Sequence, residues 1–427
     1  MTREETLALL NADAPTALEN LKKLAADNPF PPKGTDVNNH IHTTYSFSPY
    51  SPTAAVYFAR MAGLATCGLM DHDSIAGAEE FLAVNDVSFS LENGDMGATI
   101  GIECRVSFAN SPFASRRINN PDQDGIVYMA LHGVPHTQTG RVNEFFAPYR
   151  AKRNVRNAKM VAAVNGLMAK YGVTLDFEKD VLPLSNAAKG GSVTERHLSR
   201  ALSEKLLARY PEGAALVRFL EEDMGFAISA KVRGYLMDET NPFRMYDLLG
   251  FIKSDVIGKF YIPATDECPD VRDVLALSEE VGAISAYAYL GDVGDSVTGD
   301  KRAQKFEDDY LDELVPFLKE LGFRAITYMP SRNTMAQLNR VRALCEQYGL
   351  MQISGEDINS PRQSFVCEAQ RDPAFAHLIT ATWALIAHEW RATANPEDGL
   401  FSAKSVEKWP SLAERLSAFA AFAERKE

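Results

Sequence analysis

Short apolar runs alternate along the chain with longer stretches in which apolar residues recur every three or four positions. The short runs predict strands at Asp36–Ile41, Ala65–Met70, Ala98–Cys104, Ile126–His132, 283–289, 324–328 and 350–354. The longer stretches between them predict helices at 52–62, 74–84, 270–280, 303–320 and 334–348. Regular alternation of strand and helix is typical of an α/β fold with a mainly parallel sheet.

The middle of the chain breaks this alternation, because helical patterns dominate at 141–171, 194–209, 212–223 and 242–253. Three prolines in residues 28–34 cannot continue a helix and indicate a linker after a first helical region. We therefore divide the chain into an N-terminal helical extension with linker (1–35), an α/β domain (36–140 and 258–371), a helical insertion (141–257) and a C-terminal helical tail (372–427).

The charge of the chain narrows the range of partners. Its net charge is −13, so the molecule as a whole repels nucleic acid and anionic membranes, and we expect no partner of either kind. A small molecule is then the expected substrate, and an anionic one requires local positive charge.

Five widely spaced cysteines form no CxxC pair, and no apolar stretch has the length of a membrane span. With an acidic N-terminus, these features predict a cytoplasmic protein.

Residues able to bind metal ions stand at the ends of several predicted strands. His40 and His42 are two positions apart on a strand, so their rings point to the same side and can share one ion. Asp71-His72-Asp73 follows the next strand directly, and although Asp73 or Ser74 there can cap a helix, that explains only one of the three residues.

Three further strand ends carry similar residues. Glu103 ends an apolar strand, where a carboxylate is costly unless it is paired or bound to a metal. His132 closes another strand, with His136 nearby, and is equally well explained as a structural histidine. Asp357 follows the last strand, and Arg332 follows the one before it. In barrels of parallel strands, such positions meet at the carboxyl end and form the active site.

The order of these motifs resembles the PHP (polymerase and histidinol phosphatase) superfamily. His40/His42 match its HxH motif, Asp71-His72 its DH motif, Gly101-Ile102-Glu103 its GxE motif, and Asp357 the aspartate of its GSDxH motif. The resemblance covers about 36–135 and 260–362. It implies a distorted (β/α)7 barrel formed by 36–140 and 258–371, with the helical insertion lying over the mouth.

The sequence departs from the family pattern in ways that bear on the number of metals. Tyr289 stands where the family has the histidine of an AHPG turn, Asn359 where GSDxH ends, and Ser48 in the loop after HxH. Tyr128 competes with His132 for alignment with the fourth-strand histidine. We therefore expect one or two divalent ions (Zn, Mn or Fe) per chain and no third.

The resemblance implies hydrolysis of a phosphoester of a small phosphorylated molecule by a metal-activated water. His40, His42, Glu103, Asp357 and His132 are the expected metal ligands, and Asp71, His72 and Arg332 the expected catalytic residues. Arg332, Arg105 and the basic start of the insertion, with Arg153 and Arg156, are candidates for holding phosphate. Two alternatives stay open: an amidohydrolase-like enzyme acting on another bond, and a PHP barrel with a degenerate metal site that serves as a binding module.

Overall fold

Seven strands form one sheet in the order in which they occur along the chain. The computed structural model describes residues 1–293 and 304–424. Within those ranges the strands are β1 Val37–Ile41, β2 Thr66–His72, β3 Gly97–Ser107, β4 Ile126–His132, β5 Ile284–Ala288, β6 Ala325–Tyr328 and β7 Met351–Ser354. Each lies where a short apolar run predicts it.

The helices of the described residues flank the sheet or belong to the insertion and the C-terminal region. They are α1 Arg3–Leu10, α2 Ala14–Asp27, α3 Pro52–Met61, α4 Ala78–Ser88, α5 Thr139–Met168, α6 Glu195–Arg209, α7 Gly213–Arg218, α8 Ala230–Met237, α9 Arg244–Phe251, α10 Val271–Val281, α11 Leu311–Leu321, α12 Met335–Tyr348, α13 Ala376–Ala394, α14 Ala403–Lys408 and α15 Leu412–Glu424.

Strand direction divides the sheet into two parallel halves. β1, β2 and β3 pair in parallel, as do β5, β6 and β7, whereas β4 is antiparallel to both of its neighbours. The sheet curls until its two edges meet, because His42 N donates to Ile358 O (3.0 Å) and Ile358 N donates to His40 O (3.1 Å). The fold is therefore α/β, with a curled seven-stranded sheet.

The two faces of the sheet pack against different helices. One face contributes residues such as Leu69, Ile102 and Ile326 to the core shared with the flanking helices. On the other face, Ile284 and Met351 pack with α13 and α15, in a cluster that includes Trp383, Leu385 and Phe419. α13 and α15 thus cover this face of the sheet, and the C-terminal region is part of the core of the fold.

The insertion has a hydrophobic core of its own. Its buried residues come from α5 to α9 and from the turns between them, among them Val164, Leu202, Phe219, Leu248 and Ile257. The segment before α6 also touches the loops after β1 and β2: Asn186 Nδ2 donates to Thr44 Oγ1 (2.9 Å) and Ser74 Oγ donates to Gly190 O (2.8 Å). These contacts place one side of the insertion beside the loops at the strand ends.

Two expected helix starts were wrong, and one helix was not predicted. α4 begins at Ala78 and not near Ser74, because the carboxylate of Asp73 pairs with Arg153 and the Ser74 hydroxyl bonds Gly190. α11 begins at Leu311, well after the predicted start at residue 303, which lies outside the described residues. α8 was not predicted. The last three residues of the predicted tail, 425–427, also lie outside the described ranges.

Among the helices of the described residues, none combines the length and the apolar character that a membrane span requires.

Candidate metal centre

The two histidines at the end of β1 point to one side and face the same carboxylate. Oε2 of Glu103 lies 3.6 Å from His40 Nε2 and 3.7 Å from His42 Nε2. The register of β1 against β2 shifts between Asn38 and Ile41, an irregularity of the kind that re-aims side chains at strand ends. A Cβ on Gly355 would lie 2.6 Å from His40 Cβ, so only glycine lets the chain after β7 approach β1 this closely.

Glu103 and His72 are brought together by strand register. The two residues pair directly between β2 and β3, and His72 Nδ1 lies 3.0 Å from Glu103 Oε2. The rings of His42 and His72 are 4.5 Å apart between centroids. Three histidine rings therefore surround one buried carboxylate.

Asp357 completes the cluster from the far edge of the sheet. Its Oδ1 lies 3.1 Å from His42 Nε2 and accepts a hydrogen bond from Asn359 Nδ2 at 2.7 Å. Two groups of possible ligand atoms result, His40–His42–Asp357 and His42–His72–Glu103, with His42 common to both. A third group of this kind is absent from residues 1–293 and 304–424.

Electrostatics within the cluster favour ionised carboxylates. Desolvation opposes ionisation of Glu103, but His72 and His40 outweigh it and hold the pKa of Glu103 well below its usual value. Desolvation likewise opposes ionisation of Asp357, yet His42, His40 and Arg196 hold its pKa well below the ordinary range. Desolvation, reinforced by the charge of His72, lowers the pKa of His42, and a neutral ring is the form that binds metal.

A metal ion fits this donor set. Nε2 of His40 and Nε2 of His42 are buried and make no hydrogen bond of acceptable geometry, although both face carboxylates. Buried polar atoms without partners are rare in proteins, and a cation between these rings and carboxylates would satisfy them. Imidazole and carboxylate together suit Zn, Mn or Fe.

Asp71 lies outside the cluster and acts on the loop after β1. The side chain is fully buried, where Oδ1 accepts from Thr43 N (2.7 Å) and Ser46 Oγ (2.6 Å) and Oδ2 accepts from Thr43 Oγ1 (2.6 Å). The Ser46 hydroxyl oxygen in turn lies 3.2 Å from His42 Nδ1. Asp71 is thus a positioning residue for His42. The Ser46 link was missed from the sequence, where the only indication was a loop rich in Thr and Ser.

His132 is not brought into either ligand group. β4 runs antiparallel to β3, so its carboxyl end points away from the other strand ends, and His132 pairs with Gly101, two residues before Glu103. Its ring is buried with no hydrogen-bond partner on either nitrogen, and burial lowers its pKa to about 3. The ring of Tyr128, the alternative match to the family's fourth-strand histidine, lies 6.1 Å from that of His72.

The residues at the family's remaining ligand positions have other contacts. Tyr289 OH donates to Asp308 Oδ1 at 2.6 Å, and burial, with that hydrogen bond, raises the pKa of Tyr289 far above its usual value. Asn359 bonds Asp357, and Ser48 Oγ accepts from Tyr50 N at 3.3 Å. Arg332 Nε donates to Leu290 O at 3.1 Å, which places Arg332 between the ends of β5 and β6.

The arginines expected to grip phosphate are instead buried among carboxylates. Glu267 accepts from Arg105 Nη2 at 2.7 Å and from Arg156 Nε at 2.5 Å, and Arg153 pairs with Asp73. Glu195 also pairs with Arg105 and Arg156. This network of ion pairs connects α5 and α6 to β3, so the basic start of the insertion stabilises its attachment to the sheet. The expectation that Arg105, Arg153 and Arg156 capture anions was therefore wrong.

Comparison with known proteins yields similarity in structure but not in sequence family. No protein-family model matches the sequence, and no curated protein matches it either. One similar solved structure is described as that of a metal-dependent phosphoesterase from Bifidobacterium adolescentis. Its sequence identity to this chain is 18% and the TM-score is 0.48, and the match covers 79% of this chain and 94% of that protein's chain. An amidohydrolase from Chromobacterium violaceum, solved with bound sulfate and no metal, is 15% identical with a TM-score of 0.50, over 78% and 90%. At this identity, the second similarity shows a shared fold.

Proposed function

We propose that the chain is a metal-dependent hydrolase with a distorted (β/α)7 barrel of the PHP type, which cleaves a phosphoester of a small molecule. The observation that carries the proposal is the pair of ligand groups that share His42, with Glu103 and Asp357 on either side. The motif order along the sequence is the reason for choosing the PHP type and a phosphoester. The two similar structures are described as a phosphoesterase and an amidohydrolase, the two hydrolase classes that the sequence analysis weighed.

The ligands of a first ion would be His40, His42, Glu103 and Asp357, and His72 would hold a second, more weakly bound ion together with Glu103. When bound, a divalent ion lowers the pKa of a coordinated water and polarises the phosphoryl oxygen. Zn, Mn and Fe all suit the donors. One firmly bound ion is what we expect, because Tyr289 and Asn359 make hydrogen bonds to other residues at the family's remaining ligand positions.

Residues of this chain contribute orientation, charge and exclusion of water. Ser46 and Asp71 fix the His42 ring so that Nε2 faces the cluster. Asn359 holds Asp357 from the side. The loops after β1 and β2 are covered by the segment that precedes α6, which limits access of bulk water.

The boundaries of the unit and its surroundings are part of the proposal. We propose that 36–140 and 258–371 form the barrel, that 141–257 is an insertion beside its mouth, and that 1–35 and 372–427 support it. The net charge of −13 favours a small substrate over nucleic acid or a membrane, and the cysteine pattern favours the cytoplasm.

The test is a substrate panel measured with defined metals. Metal-free protein is reloaded with Mn²⁺, Zn²⁺ or Fe²⁺ and assayed on phosphomonoesters, phosphodiesters and amides. We expect phosphoester hydrolysis that is lost in His42→Ala and retained in His377→Ala, a matched histidine that bonds Gln352 and Ala374 instead. Hydrolysis of amides alone would support the amidohydrolase alternative, and metal binding without hydrolysis would support the binding module.

A further inference from the structure

Asp73, the residue after His72, is held by two arginines of the helical insertion. Arg150 Nη1 donates to Asp73 O at 2.8 Å, and the Asp73 carboxylate pairs with Arg153. Asp73 and Arg153 are both buried, so their ion pair is shielded from solvent. Because both arginines lie on α5, one helix of the insertion contacts the backbone and the side chain of the residue next to a proposed metal ligand.

The backbone of Asp73 has a conformation that such contacts can hold in place. Its φ is 49°, in the left-handed region that residues other than glycine rarely adopt, although aspartate and asparagine tolerate it better than most. Asp73 N donates to Glu103 O at 2.8 Å, which extends the pairing of β2 with β3 one residue beyond the His72–Glu103 pair. A change of conformation at Asp73 would therefore move the peptide that joins it to His72.

The next two residues of the chain also bond to the insertion. Ser74 Oγ donates to Gly190 O at 2.8 Å, and Ile75 N donates to Asn143 Oδ1 at 3.2 Å. Asn143 lies on α5, and its carbonyl oxygen accepts from Arg150 Nη2 at 3.2 Å. Three consecutive residues after His72 are thus fixed by the insertion, so the end of β2 depends on how the insertion is attached.

The ring of His72 relies on this placement of the backbone more than the ring of His42 does. The His72 side chain is 23% exposed, against 1% for His42, so neighbouring side chains enclose it less closely. Its Nδ1 lies 3.0 Å from Glu103 Oε2, a distance that a small displacement of the end of β2 would alter. The contacts of Asp73 therefore bear on whether His72 and Glu103 can share an ion.

We propose that Arg150 and Arg153 position His72 through Asp73 and thereby set the affinity for the second ion. This inference rests on the proposed function, in which His72 and Glu103 hold that ion. Partners beyond the metal ligands change metal affinity by about 10- to 100-fold, because they fix the orientation of the ligands. The first ion depends less on these arginines, since most of its ligands lie on other segments of the chain.

The experiment titrates metal-free protein with Co²⁺, followed by absorption spectroscopy and calorimetry, in the wild type and three variants. Arg150→Met removes the donor to Asp73 O but leaves the ion pair with Arg153. Asp73→Asn keeps the tolerance of a left-handed conformation but removes the charge that pairs with Arg153. Arg141→Met is the matched control, because Arg141 also lies on α5 and pairs with Glu280 at 2.7 Å.

We expect the second Co²⁺ to bind about 10-fold more weakly in Arg150→Met and Asp73→Asn, with the affinity for the first unchanged. Arg141→Met should bind both ions as the wild type does, and Arg150→Lys should recover part of the affinity for the second. The absorption bands of the second Co²⁺ should change as well, because they report the geometry of its ligands. A merely structural role of the arginines would change the unfolding temperature but not the ratio of the two affinities.

The outcomes separate this proposal from the one on which it rests. Equal affinity for the second ion in the wild type, Arg150→Met and Asp73→Asn overturns the positioning role, as does a wild type that binds a single Co²⁺. Phosphoester hydrolysis in either case leaves the hydrolase standing. Weakened binding of the second ion in both variants, without phosphoester hydrolysis by the wild type, supports the positioning role and overturns the proposed reaction. An equal loss in Arg141→Met shows a general effect of α5 and also overturns the positioning role.

Discussion

The Ser46 hydroxyl oxygen lies 3.2 Å from Nδ1 of His42. The same hydroxyl donates to Asp71 Oδ1 at 2.6 Å, so its oxygen accepts the proton on His42 Nδ1. This arrangement leaves Nε2 of His42 unprotonated and directed at Asp357 and Glu103. Asp71 therefore sets the tautomer of a proposed metal ligand through one intervening residue, which is how partners beyond the metal ligands commonly raise metal affinity.

Removal of that hydroxyl is expected to weaken metal binding without unfolding the protein. Ser46→Ala leaves His42 Nδ1 without its acceptor, and affinity for Zn²⁺ should fall about 10- to 100-fold in competition with a chelating dye. Ser46→Thr, which keeps the hydroxyl, is the control and should bind nearly as the wild type does. Equal affinity in Ser46→Ala and the wild type, with unchanged circular dichroism, would contradict the assigned role.

Metal content should distinguish His42 from His132. We expect His42→Ala to lose most of its metal after dialysis, because His42 belongs to both ligand groups. His132→Leu should keep about one ion per chain, since His132 belongs to neither ligand group. Elemental analysis of both variants checks this, and loss of metal in His132→Leu would support the sequence-based prediction that His132 is a ligand.

The carboxylate of Glu389 should contribute strongly to stability. It is fully buried on α13 and accepts from Thr99 Oγ1 (2.7 Å), Ile100 N (2.8 Å) and His136 Nε2 (2.7 Å). Glu389→Ala leaves three hydrogen-bond donors without an acceptor, and we expect a loss of about 3–5 kcal/mol in free energy of unfolding. Urea denaturation measures this loss. Glu414→Ala on α15 offers an exposed acidic control, and a similar loss there would refute the argument.

A pH dependence of stability is expected from Glu307. The side chain is fully buried, and burial raises its pKa to about 7, although Leu290 N (2.8 Å) and Gly291 N (3.3 Å) donate to its Oε1. Because the folded state binds the proton more tightly than the unfolded state, the stabilisation is complete below pH 4.5 and is lost as pH rises through about 7.

Chemical denaturation across this range tests the Glu307 prediction. The wild type should lose on the order of 3 kcal/mol relative to Glu307→Gln, which keeps an acceptor for the two amides but does not titrate. Parallel pH profiles for the two proteins would show that Glu307 has an ordinary pKa in the folded state.

Local patterns were sufficient where a feature depends on nearby residues. Every strand lies where a short apolar run predicts it. His40, His42, His72 and Asp357 lie at or just after strand ends, whereas Glu103, expected at a strand end, lies inside β3, which continues to Ser107. His132 shows what such patterns omit: the residue does end its strand, but the direction of β4 depends on pairing with β3 and β5. Local sequence carries no information about that choice.

Long-range contacts explain the other differences. The sequence marks Arg153 and Arg156 as candidates for holding phosphate, yet both are buried and pair with Glu267, which lies more than a hundred positions later in the chain. The sequence shows where a positively charged residue stands, whereas the tertiary structure determines which residue it pairs with.

The contact between β1 and the segment after β7, which closes the sheet, has a consequence for biosynthesis. A ribosome releases His40 and His42 long before Asp357, and the edge of β1 stays without its partner Ile358 until β7 has emerged. Asn39 Nδ2 must also wait for Thr382, to which it donates at 2.8 Å. The His40–His42–Asp357 group is therefore assembled only after β7 has been synthesised, and a nascent chain stalled before residue 350 would expose an unpaired strand edge to chaperones and proteases.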